Sequence, residues 1–190
     1  MLEETEHGDM PSDVYQKLSN DRILFIFGNI NDNLATDITA TLLLKDYENP
    51  EQKITLFINS DGGNIRNVFM IYDIMQMISA PVETVCLGAA MGESALLLAG
   101  GTPGMRLATK NSIISVSLLE PNSGYHVDMV DAKKYMNMLE EDNKRMMNIY
   151  AKATKKPLKQ IIKDFDRRVF MDSNKAMKYG LIDKIIKFNK

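Results

Sequence analysis

Apolar residues follow two rhythms along this chain. Short runs rich in β-branched and aromatic residues, Arg22-Ile-Leu-Phe-Ile-Phe27, Lys53-Ile-Thr-Leu-Phe-Ile-Asn59 and Val82 to Leu87, predict strands. Between them Leu34, Ile38, Leu42 and Leu43, and then Val68, Ile71, Met75 and Ile78, recur at helical spacing; the first of these helices should span Asp32 to Glu48. Gly28 closes the first run, Asp61-Gly62-Gly63 breaks the second and Pro81 opens the third. A strand, turn, helix and strand in that order form a βαβ unit, whose crossover implies parallel neighbours and puts sites at the strands' carboxyl ends. Two more strands are predicted at Met105 to Thr109 and Ser112 to Leu118. Ser173 should cap a helix reaching Tyr179, with Gly180 at its C′ position and a last strand from Leu181 to Phe188.

One segment breaks this rhythm. From His126 to Ala153, Met129, Ala132, Met136, Leu139, Asn143, Met146, Tyr150 and Ala153 alternate spacings of three and four, the narrow seam of a helix that packs on another helix. Such a helix would extend ~42 Å, longer than a domain of this size can cover with its own body. A partner molecule is the expected cover; an amphipathic helix lying on its own domain is the alternative. The basic run from Lys152 to Arg168 reads as a solvated helix face.

Composition narrows the chemistry. The 190 residues suit one α/β domain, with no repeat or linker, and a core large enough to need no staples. Lys and Arg number 23 against 25 Asp and Glu, a net charge of −2, so no basic field is available for nucleic acid or anionic lipid. A single cysteine, Cys86, excludes an internal disulfide framework and a zinc site built on paired thiolates. His7 and His126 are the only histidines, which restricts general-base and metal chemistry; no metal or cofactor is expected. The most apolar stretch, Val85 to Gly101, carries Glu93 at its middle and is too short to span a bilayer. The acidic start, Met1 to Asp13, has the character of neither a signal peptide nor an Arg-rich transit peptide.

Two strand-to-helix turns could carry chemistry. Asn59-Ser-Asp-Gly-Gly63 could bring backbone N–H groups to a carbonyl oxygen, or could be a plain turn. Gly88-Ala-Ala-Met-Gly92-Glu93-Ser94 has the shape of a nucleophile elbow. Ser94 lies two residues past the turn, roughly 200° further round a helix, and is expected to face away from its open side.

These residues, with Ile71-Tyr-Asp-Ile-Met-Gln76, Cys86-Leu-Gly88, Leu97-Leu98, Arg106, Asn111-Ser112, Phe170 and Ala176-x-x-Tyr-Gly-Leu-Ile-Asp183, resemble ClpP, the serine peptidase of the Clp system. Asp13-Val-Tyr15, Arg22-Ile-Leu-Phe25 and Glu48-Asn-Pro50 extend the likeness over about residues 13 to 186, leaving residues 1–12 as a tail before a ClpP-like domain at 13–190. The resemblance implies a crotonase-like α/β sandwich in which the long helix, about 126–153, is a protruding handle between stacked heptameric rings. It further implies partners: further copies in a ring, ClpP-type catalytic subunits and a Clp AAA+ ATPase. The ATPase would dock on a pocket whose lining falls on Thr55, Phe57, Met77, Val85, Leu87, Thr109 and Ile186. The handle interface would use Met129, Ala132, Met136, Leu139, Asn143, Met146 and Tyr150.

The departures from the family pattern bear on activity. Aligned without gaps, the catalytic serine falls on Gly92, the histidine on Ser117 and the aspartate on Arg168. Glycine has no oxygen, a serine hydroxyl is no proton acceptor near neutral pH, and a cation cannot stabilise imidazolium. The oxyanion donors, backbone N–H groups, map to Gly63 and Glu93. This pattern is similar to ClpR, the non-catalytic plastid branch, and the high Lys, Asn, Ile and Met usage suits an apicomplexan plastid; a plastid stroma is expected, otherwise a bacterial cytoplasm. Two alternatives remain: a serine peptidase rebuilt on Ser94 or Ser117 with Lys110 or His126 as base, and a crotonase-type acyl-CoA enzyme using Glu93 as base.

Overall fold

The computed structural model describes residues 11–119 and 129–187. Its elements in chain order are α1 (Pro11–Asn20), β1 (Ile23–Ile30), α2 (Asp32–Glu48), β2 (Ile54–Gly63), α3 (Ile65–Met77), β3 (Val82–Met91) and α4 (Ser94–Ala99). Then follow β4 (Arg106–Thr109), β5 (Ile113–Val116), α5 (Met129–Thr154), α6 (Leu158–Asp164), β6 (Val169–Asp172), α7 (Ser173–Tyr179) and β7 (Lys184–Ile186). The anticipated α/β class and parallel βαβ order are present: β1, β2, β3, β4 and β7 pair in that sequence, all parallel.

The sheet forks along β3. Thr84 to Cys86 pair with β4, whereas Ala89 to Met91 pair with β5, which in turn holds β6 antiparallel. Gly88 sits at the fork with φ 94, a left-handed conformation that a side chain resists. A Cβ there would press on Asn59 Oδ1 at 2.8 Å, the atom that accepts from the Ala89 N–H at 3.1 Å.

Strands β1, β2 and β3 run past the breaks seen in the sequence; Gly28 does not close the first run, which continues to Ile30. Gly62 and Gly63 pair with Asn29 and Ile30 of β1, so the glycines continue the ladder instead of ending it. A Cβ on Gly63 would collide with the backbone of Ile30, which is why that close pairing needs glycine. The cap of α7 also differs: Asp172, not Ser173, accepts from the Lys175 N–H, at 2.8 Å. Ser173 is buried and donates to the Thr109 carbonyl at 2.7 Å, tying α7 to β4. Gly180 ends α7 with φ 97, as anticipated. Helix α1 was not foreseen. The basic run read as one solvated helix face from Lys152 to Arg168 is divided between the end of α5 and the short α6, with Ile161 and Phe165 buried. The last strand is shorter than expected; Phe188 and His126 lie outside the described residues.

Alternation assigns the sheet's two faces. Leu24, Ile26, Leu56, Ile58, Cys86 and Ala108 point into the core beneath α2, α3 and α4. The residues between them, Phe25, Phe57, Val85 and Leu107, line the other face, where Phe25 stacks on Phe57 with centroids 5.7 Å apart and Tyr15 of α1 meets Phe25 edge-on at 5.4 Å. Among the described residues no helix is long and apolar enough to cross a membrane.

Helix α5 corrects the expectation that its whole seam meets another molecule. Leu139, Met146 and Tyr150 are buried in the chain's own core, and α5 packs on α4 and α6. Asn143 is engaged internally too, its Oδ1 accepting from the Leu119 N–H at 2.8 Å. The N-terminal half differs: Met136 is 42% exposed and Ala132 half-buried. The reason is length, since 26 residues give ~39 Å of helix and the domain body reaches along only part of it.

Candidate active site

Three strand ends converge where the sequence pointed. Met91, the last residue of β3, pairs with Ser115 of β5, and Val116 pairs with Val169 of β6. Gly92 follows Met91, Ser117 follows Val116 and Arg168 precedes Val169, so these residues, far apart in the chain, come to one end of three neighbouring strands. Ser117 is buried, and Arg168 is exposed.

Gly92 occupies the sharp turn between β3 and α4 at φ 54. That geometry, a strand ending in a left-handed residue from which a helix springs, is a nucleophile elbow. A Cβ built there meets only the Asp61 carbonyl, at 3.4 Å, so space for one is present, in a left-handed conformation that side chains rarely adopt. Ser94 faces away from the turn's open side, as expected: it is fully buried, with its hydroxyl 2.8 Å from both the Ser60 and Met91 carbonyls. It staples the turn to β2 and is closed to substrate. Cys86, a buried residue of β3 itself, offers no substitute, because burial pushes its thiol up to about 11 against the Ser112 hydrogen bond that lowers it.

A polar cleft of about 420 Å³ opens alongside, lined by Gly28, Asn29, Asn59, Ser60, Asp61, Gly62 and Gly63. The Gly63 N–H points to Glu93 Oε2 at 3.3 Å, and a Cβ on Gly62 would collide with that same oxygen. Sequence reasoning gave Glu93 a backbone donor here and, in the acyl-CoA alternative, a carboxylate base; that the side chain returns across the turn onto Gly63 was missed, because nothing in a linear string shows a residue bonding one thirty positions earlier.

The chain belongs to the Clp protease family. The family's model matches residues 6–189, nearly the entire sequence, and the forked, mostly parallel sheet with its long α5 agrees with that assignment. Members of the Clp protease family form oligomeric rings with ATPases; in this chain one face of the sheet is turned away from α2, α3 and α4. Thr55, Phe57, Val85, Leu87, Thr109 and Ile186 fall on that one face by strand register. Leu87 is 42% exposed, whereas Val85 is buried at 3%. Met77, the last residue of α3, is 66% exposed.

A bidentate pair anchors this scaffold. Arg106 donates through Nε and Nη2 to Asp183 at 2.9 and 2.7 Å, and through Nη1 to the Ala153 carbonyl at 3.0 Å, joining β4, α5 and the approach to β7. Burial alone would raise the Asp183 carboxyl, but the hydrogen bonds and charge of Arg106 hold it below its ordinary value. Both residues belonged to the family pattern in the sequence; their pairing was not legible there.

Proposed function

We propose that this Clp-family chain is a non-catalytic, ClpR-like subunit that builds heptameric rings of a Clp protease complex with catalytic subunits and a AAA+ ATPase. One observation carries the reading: the elbow at Gly92 keeps the strand, left-handed turn and helix of a peptidase nucleophile site and has no side chain at its apex. Ser117 and Arg168, at the neighbouring strand ends, supply neither a proton acceptor nor an anion to orient one. In serine proteases, loss of the triad lowers turnover by on the order of 10⁶. Exposed Tyr47, Leu44 and Met136, at 88%, 52% and 42%, are apolar surface of the kind that subunit contacts cover. A plastid stroma is the proposed setting.

The rival in which Ser94 serves as a rebuilt nucleophile is disfavoured by its burial and its two carbonyl contacts. An acyl-CoA enzyme is disfavoured because the carboxylate it would need as base lies against Gly63, where the thioester oxygen would have to sit. The test is exposure of the assembled protein to a fluorophosphonate probe and to fluorogenic peptides. Neither labelling nor hydrolysis is expected; a labelled serine would overturn the proposal.

A further inference from the structure

The Glu93 side chain does something that an emptied site does not require. A glutamate at the start of a helix next to an open cleft gains most by extending into water. Here it turns back over the elbow, bringing Oε2 within 3.3 Å of the Gly63 N–H and into the hollow left by the missing Cβ of Gly62. Around that hollow the Met91 carbonyl and the Glu93 N–H lie 3.3 and 3.4 Å from where a Gly62 Cβ would stand, so the oxygen occupies a shaped seat lined by backbone. Its charge is felt further inside: the fully buried Tyr150 phenol is pushed up first by burial and then by Glu93, and its hydroxyl has no hydrogen-bond partner. The carboxylate is thus turned toward the protein.

Resting on the reading of the Gly63 and Glu93 N–H groups as the seat of a substrate carbonyl, we propose that the Glu93 carboxylate is a built-in plug of that seat. A peptide carbonyl oxygen entering it would meet an occupied donor, and the negative charge that develops during acyl transfer would face a fixed negative charge instead of a pair of N–H dipoles. The site is closed by electrostatics as well as by the absent nucleophile. Restoring the triad side chains alone therefore leaves it closed. Removal of the plug frees a donor suited to one oxygen of a carbonyl, a carboxylate or another small anion.

Two measurements test this. Site-resolved hydrogen exchange of the Gly63 amide in the assembled protein is compared with that in Glu93→Ala and Glu93→Gln. Exchange should be roughly tenfold faster in Glu93→Ala and slow again in Glu93→Gln, which keeps an acceptor oxygen. An amide that exchanges equally in all three proteins overturns the proposal. The consequence is read by building Gly92→Ser, Ser117→His and Arg168→Asp together, with and without Glu93→Ala, and following a fluorogenic peptide. Hydrolysis should be about tenfold or more faster with Glu93→Ala; equal, measurable rates would refute the plug. Hydrolysis by the unaltered protein would instead remove the non-catalytic reading while leaving the exchange result standing.

Discussion

A residue's effect in this molecule depends on what its neighbours have already claimed. Gly92 illustrates it: the turn leaves space for a Cβ, yet Gly92→Ser alone should give no detectable peptide hydrolysis, because a serine without a base is a weak nucleophile and Ser117 cannot activate it. Turnover of a fluorogenic peptide by the single variant, above that of the parent protein, would show that another base serves the elbow. Asp183 illustrates the electrostatic counterpart. Its folded carboxyl titrates below its unfolded value near 3.8, so the stability it contributes is complete above that value and is lost as pH falls through the lower folded one. Asp183→Asn should cost about 1–3 kcal/mol in urea unfolding at neutral pH, with the gap between variant and parent narrowing once the medium is acid enough to protonate both states. A gap that does not change with pH would place the effect in packing.

Helix α5 is one element with two environments, and substitutions along it should separate accordingly. Met146 is 1% exposed in the core, so Met146→Asp buries an unpaired charge and should cost several kcal/mol of subunit stability. Met136 is 42% exposed, so Met136→Asp should leave the subunit's stability within about 0.5 kcal/mol while weakening any stacking of rings through that half of the helix. Leu139, at 8% exposure, belongs with Met146 and not with Met136. Melting curves of the isolated subunit alongside sedimentation of the assembly distinguish the two classes; equal losses of subunit stability in both variants would refute the division.

For the whole molecule, the sheet's open face sets how the proposed ring would meet an ATPase. Two of the residues on it, Thr55 and Thr109, are polar, and the Thr55 hydroxyl is committed to Glu83 Oε1 at 3.1 Å, a carboxylate that Lys53 also holds at 2.7 Å. This leaves less apolar surface for a hydrophobic loop. Thr55→Tyr with Thr109→Leu should recover roughly 1–2 kcal/mol per pocket at ~25 cal/mol per Å² of apolar contact, about 5–30-fold in ATPase affinity of a homomeric ring before multivalency amplifies it. An unchanged affinity in a titration with the purified ATPase would mean that docking does not use this face through these positions.

The local terms were legible in the string. Helix α2 has the bounds its apolar spacing predicted, Asp32–Glu48, and Gly180 stops α7 in the left-handed conformation that glycine tolerates, because spacing and backbone freedom act between near neighbours. The parallel βαβ order followed from the same local elements together with the handedness of crossovers. What the sequence left undecided depended on contacts across long separations. The glycines of β2 looked like a break, and only the partner strand β1 makes them a ladder. The seam of α5 looked continuous, and only the extent of the domain beneath it decides that Leu139, Met146 and Tyr150 are core while Met136 is surface. Glu93 was legible as a residue of the turn; that its carboxylate lies on Gly63 is a property of the parallel β2–β3 pairing, whose register shift beyond Ile58 still brings the two strand ends within one side chain's reach.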